Sequence, residues 1–161
     1  EDMTDDSLFV YVGDFGNNSG NRKDLKIYKV KKSDIPATGD ATVNATIINF
    51  YYPDQPNKKI EKRRYNNFDC EAVMAVDDSL YLFSKDWQDQ KTRVYALPKE
   101  PGSYAAALVD SFDVSGLVTA ADYNAKNNEV VLLGYTNHSW IPFVWLLFDF
   151  NEHHFFSGNK R

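Results

Sequence analysis

The chain has a single cysteine, Cys70, among 161 residues. No intramolecular disulfide can form, so stability has to come from packing and hydrogen bonding. Cys70 sits inside an apolar stretch with no base beside it, which predicts a buried and inert thiol. Long apolar runs are also missing. The most hydrophobic segment, WIPFVWLLFDF at 140–150, is far short of the ~20 residues a spanning helix needs and contains Pro142. It reads as a buried strand, and no membrane span is expected. The chain opens with EDMTDD, which is acidic and has no apolar stretch after it, so no secretory leader is visible. Histidine is scarce. His153 and His154 are adjacent and would face opposite sides of a strand, which makes them a poor metal pair, and His138 is remote in sequence. No GxSxG element, no GK[ST] phosphate loop and no kinase catalytic loop occurs. Excess positive charge is lacking too: the net charge is −5, which gives no attraction to nucleic acid. The one basic run, KKIEKRR at 58–64, reads as a solvated connection. Finally, no helical period of ten or more residues can be found.

What the chain has in quantity is aromatic residues, 15% of the total, within a hydrophobic fraction of 43%. Aromatic and β-branched side chains favour pleated, half-buried surfaces. They fall in a pattern that recurs three times: DDSLFVYVGDFGNNSGNRKDLKIYKV from Asp5, DDSLYLFSKDWQDQKTRVYALP from Asp77 and NNEVVLLGYTNHSWIPFVWLLFDF from Asn127. Each begins with two polar turn residues, continues as an apolar strand, passes through a loop and returns as a second strand. Further strands are expected at ATIINFYY (45–52), CEAVMAV (70–76), AALVDSFDV (106–114) and GLVTAADY (116–123), with YAAALV (104–109) as a candidate short helix.

Four antiparallel strands in about 50 residues is the signature of a β-propeller blade. The expectation is an all-β chain of about three blades, near 7–53, 69–114 and 116–161, forming part of a larger propeller. The first blade would start at its second strand, near Ser7, and the last would end as its final strand begins. A β-sandwich also offers many short strands; the internal repeat favours the propeller. Open blade edges would invite self-association or further blades.

VGDFGNNSGNRKDLKIYKV, FDCEAVMAVDDSLYLFSKDW, TRVYALPKEPG and LVTAADYNAKNNEVVLLGY together resemble uncharacterised extracellular β-propeller proteins of bacteria, particularly Bacteroidetes. More distantly, the pattern is similar to phytase-like and NHL-type propellers. The shared elements are Asp69-Cys70-Glu71-Ala72, which opens an innermost strand, and Ala120-Ala121-Asp122. The resemblance implies a periplasmic, cell-surface or secreted location.

Asp14-Phe15-Gly16 carries the letters of a kinase metal loop, but its counterpart in the second repeat is Asp86-Trp87. A repeated Asp before an aromatic suits a hairpin in which the carboxylate accepts turn amides and the ring packs. Asp14, Asn17 and Asn18 are also hard oxygen donors for calcium, although the EF-hand spacing fails. Asp69 and Glu71 would share one face of a strand at the hub, with Asp122 at almost the same height in the next blade. Such carboxylates would bind a cation, act as an acid/base pair, or cap exposed amides. Arg22, Arg63, Arg64 and Lys85 would neutralise them or hold an anionic ligand. Trp87, Tyr123, Tyr135 and Trp140 offer an aromatic floor for a glycan or peptide.

Three functional readings follow. The leading one is a non-enzymatic, exported module for ligand or protein binding. The others are a metal-dependent hydrolase of phytase or esterase type using Asp69, Glu71 and Asp122, and a fragment that assembles through its blade edges.

Overall fold

The computed structural model of the chain describes residues 1–62 and 64–161; Arg63, one of the basic residues named above, lies outside them. The described residues fold into three sheets and one 3-10 turn, Lys32–Asp34. In the first sheet are β1 (Met3–Asp5), β2 (Phe9–Asp14), β3 (Leu25–Lys31) and β4 (Ala45–Tyr51). The second contains β5 (Asp69–Val76), β6 (Ser79–Lys85) and β7 (Lys91–Pro98). Then β8 (Gly102–Ala105) leaves to pair with β4, and β9 (Ala107–Asp113) returns to β7. The third is built from β10 (Leu117–Asn124), β11 (Glu129–Tyr135), β12 (Pro142–Phe148) and β13 (Asn159–Lys160). All pairings are antiparallel except β4 with β8. None of the sheets closes on itself.

Alternation along β6 explains how the sheets stack. Leu80 and Leu82 point to one side and join a core with Tyr11, Ile27 and Ile48 of the first sheet. Tyr81 and Phe83 point to the other and join Val130, Leu132 and Leu147 of the third. Successive side chains on a strand face opposite ways, so a middle sheet must be apolar on both faces. The second sheet is therefore sandwiched, and β6 is buried from Leu80 to Lys85. In β11 only the inward positions Val130, Leu132 and Gly134 are buried.

The paired polar residues before the second and third hairpins do what their chemistry suggests. Asp77 and Asn128 take positive φ, 47° and 53°, where Asp and Asn are tolerated. The first strands of the sheets lie side by side, β1 against β5 and β5 against β10. The free edge of β5 is closed by side chains: Val73 N–H donates to Asp2 Oδ2 at 2.9 Å, and Ala75 N–H to Thr4 Oγ1 at 3.2 Å. An uncovered edge would leave those donors unpaired.

The sequence reading places most strands correctly and misses two. It starts the first sheet at Ser7, whereas Met3–Asp5 already pairs with β2; three residues are too few to show alternation. The second missed strand is β8. Tyr104 and Ala105, part of the stretch considered for a short helix, are extended and bonded to Phe50 and Tyr51. A parallel partnership with a strand of another sheet leaves no trace in local periodicity. The remainder of that stretch, from Ala107, is β9.

Candidate functional site

One end of the three-sheet stack gathers the β2–β3, β6–β7 and β11–β12 loops and the opening of β5. Asp69, paired with Lys85 across the β5–β6 ladder, is at this end. Its side chain is fully buried. Oδ1 accepts the Asn17 N–H at 2.6 Å, and Oδ2 accepts the indole N–H of Trp87 at 2.9 Å. Burial raises its pKa above the ordinary carboxylate value, against the pull of these two donors. Asp69 is thus a brace between two loops and has no oxygen left free of a protein donor.

A β-bulge between Cys70 and Ala72 makes Glu71 the extra residue of β5. Glu71 accepts a 2.8 Å hydrogen bond from Lys85 Nζ. Lys85 is almost wholly buried, which disfavours its charge; Glu71 and the Tyr135 hydroxyl more than offset this, and its pKa is raised. The third sheet repeats the bulge between Val118 and Ala120. With the bulges aligned, Asp122 matches Met74 rather than Glu71. Leu117 is opposite Tyr135 at the cleft end, and Asp122 is five residues further along β10, roughly 17 Å at 3.3 Å per residue. The expectation that Asp122 stands level with Asp69 and Glu71 is therefore corrected. It lies exposed at the far end with Tyr123, whose hydroxyl bonds Asn128.

The loop containing Asp14-Phe15-Gly16 is closed by protein groups. Asp14 bonds Arg22 at 2.9 Å, with Lys26 Nζ 4.0 Å away. Asn17 Oδ1 accepts the Arg22 N–H, and the Asn18 carbonyl accepts from Asn66. A calcium ion on Asp14, Asn17 and Asn18 would have to displace two basic side chains. Phe15 is buried, as expected of the ring in this pair. The counterpart carboxylate, Asp86, pairs with Arg93. Both carboxylates thus take an arginine from the return side of the hairpin, where turn amides were expected. Gly20, at φ +71°, closes the turn against Asn66 and Ile60, where a Cβ would sit 2.6 Å from a neighbour.

Above the Lys85–Glu71 pair opens a cleft of about 340 Å³ lined by Asn18, Arg64, Lys85, Trp87, Tyr135 and Trp140. Lys85 Nζ lies 4.8 Å from the ring centre of Trp87 and 5.3 Å from that of Tyr135. Arg64 lies over Trp87 at 5.3 Å. Tyr135 and Trp140 stack at 4.9 Å and 24°. Trp140 is 59% exposed and has φ +54°, a left-handed conformation rare for a bulky residue. Thr136 holds it there. The Trp140 N–H donates to the Thr136 carbonyl at 3.0 Å, and the Ile141 N–H to the Thr136 hydroxyl at 3.1 Å.

Arg64, Lys85, Trp87, Tyr135 and Trp140 are all residues that the sequence singled out. The structure brings them together, with Asp69 and Glu71 as supports beneath. Tyr123 and Asp122 are elsewhere. The strained Trp140 backbone and the Thr136 clamp had no signal in the sequence. The lining combines two cations, three aromatic rings and one amide. Cys70 is buried and its thiol pushed well up by burial, as expected. His153 pairs with Asp77 at the opposite end of β6. Among the described residues no cluster of three metal-ligating side chains occurs, and no helix is long and apolar enough to cross a membrane.

Comparison with protein families, with curated proteins and with solved structures returned no match.

Proposed function

We propose that the chain is a non-enzymatic ligand-binding module, its three sheets being successive blades of a β-propeller and the Arg64–Trp140 cleft its binding site. The observation that carries the function is the convergence of two cations and three aromatic rings, contributed by three separate segments, on one cleft. Trp87 and Lys85 are buried at its base, whereas Trp140 and Arg64 are exposed and add nothing to the core. Supporting the blade reading are the adjacency of β1, β5 and β10, the matching bulges in β5 and β10, and the matching Asp–Arg pairs across two hairpins. Export to the periplasm or cell surface rests on the resemblance alone.

The test is a thermal-shift screen with glycans, peptides and calcium. A ligand at about 100 times its Kd stabilises by about 2.7 kcal/mol, which moves the melting point of a domain this size by several degrees. The reading requires a shift that Arg64→Ala and Trp140→Ala remove. A panel with no shift, or a shift indifferent to both variants, contradicts it.

A second reading, assembly with further blades, is favoured by the outward faces of the outer sheets. Val12 and Ile47 are exposed on the first, and Leu133 and Val144 on the third. Apolar faces of this kind are what a neighbouring sheet would cover. Light scattering across a concentration series tests it: a strict monomer at high concentration counts against self-assembly.

A further inference from the structure

We infer that the cleft recognises a sugar bearing one carboxylate, a uronic-acid residue of a glycan; this rests on the binding reading above and names its ligand class.

Charge decides the first part. The cleft lining carries Arg64 and Lys85 and no acid. Lys85 is already matched by Glu71 at 2.8 Å. Arg64 has no acidic partner and no hydrogen bond among the described residues, and it is held over Trp87 at 5.3 Å. Among the described residues one uncompensated guanidinium remains. Its planar fork suits a single carboxylate held through two parallel bonds. A phosphate dianion would find only half its charge met.

Shape decides the second part. Trp140 presents a broad ring to solvent, backed by Tyr135 in a stacked pair. An indole face accepts the apolar C–H face of a pyranose ring, while the sugar's hydroxyls remain at its edge. The Lys85 ammonium has three donors; Glu71 takes one and the Tyr135 hydroxyl is a second partner, which leaves one for the sugar. The φ of +54° at Trp140 supports the assignment independently. A bulky side chain in such a backbone conformation costs free energy, and outliers of this kind cluster at ligand clamps.

Isothermal titration calorimetry on the full chain tests this with oligogalacturonate, oligoglucuronate and alginate trisaccharides, their neutral methyl esters, and an acidic tripeptide. At least one acidic trisaccharide should bind ten-fold or more tightly than its ester. Arg64→Gln should abolish that ten-fold preference, and Trp140→Ala should abolish binding of acid and ester alike. Circular dichroism of both variants confirms that they fold. If an ester binds as tightly as its acid, the carboxylate assignment is overturned and the binding site stands. If only the tripeptide binds, the sugar class is overturned. If nothing in the set binds, the inference fails; the binding reading itself fails only if the wider thermal-shift panel is also silent.

Discussion

Trp87 donates its indole N–H to Oδ2 of Asp69 at 2.9 Å, tying the β6–β7 loop to the first residue of β5. The other oxygen of the same carboxylate holds the Asn17 N–H. Replacing Asp69 with Ala strands two buried donors, and each costs about 1–3 kcal/mol when unsatisfied. Trp87→Phe keeps most of the packing but leaves one buried oxygen of Asp69 without its donor, a single stranded group at about 1–3 kcal/mol. Urea unfolding should rank the two in that order. Equal midpoints would mean that Asp69 braces nothing.

The two hairpin ion pairs occupy equivalent positions but differ in burial. Asp86 is completely enclosed, while Asp14 and Arg22 are both part-exposed. Removing one partner of a buried pair costs about 3–5 kcal/mol, because the remaining charge has no solvent. A half-exposed pair contributes about 0–1 kcal/mol. Arg93→Ala should therefore lower the melting temperature markedly, and Arg22→Ala hardly at all. Comparable losses in both would show that burial does not set the difference.

Asp6 sits at the opposite end of the stack. Its carboxylate accepts the Leu8 and Phe9 N–H groups and the Tyr11 hydroxyl, each at 2.9 Å, and has Lys99 Nζ at 3.2 Å. Burial alone would raise its pKa; the donors more than reverse this and hold it well below the usual range. A folded-state value below the unfolded value of about 3.9 means that the stabilisation is complete above that pH and is lost as pH falls. Asp6→Asn should destabilise the protein by about 1–3 kcal/mol at pH 7. The gap from the unmodified protein should narrow below pH ~4. A gap unchanged down to pH 2 would remove Asp6 from the acid response.

Trp140 separates stability from function. A residue held at an unfavourable φ costs about 1–3 kcal/mol, while stacking on Tyr135 returns about 0.5–1.5 kcal/mol. Asn tolerates this backbone. Trp140→Asn should therefore unfold no earlier than the unmodified protein, yet lose ligand-induced stabilisation. A clear drop in its melting temperature would mean that the ring serves the fold.

These outcomes also show what the sequence could convey. The aromatic and cationic residues of the cleft were legible because Trp87, Tyr135 and Lys85 stand at corresponding ends of repeated strands, where a hairpin must turn. The pairing of Asp69 with Trp87 was not, since it joins residues brought together only when β5 meets the β6–β7 loop. Even spacing suggested that Asp69 and Glu71 share a face. The bulge at Glu71 breaks that alternation, and no residue type announces a bulge. Asp122 was placed too high because Ala120-Ala121-Asp122 was matched to the opening of β5; the two strands carry the same bulge, so Leu117 corresponds to Asp69 and Asp122 to Met74. Parallel pairing of β8 with β4 is non-local and likewise invisible.

The central claim is that the cleft is where the molecule meets its ligand. The chain has three tryptophans. Trp87 and Trp140 line the cleft, whereas Trp145 packs against Phe112. Their indole N–H resonances are therefore three separate reporters in one 15N spectrum. Titration with a ligand that raises the melting point should move the Trp140 and Trp87 signals together and leave Trp145 in place. Movement of Trp145 with the other two unchanged would put the binding site elsewhere and contradict the account.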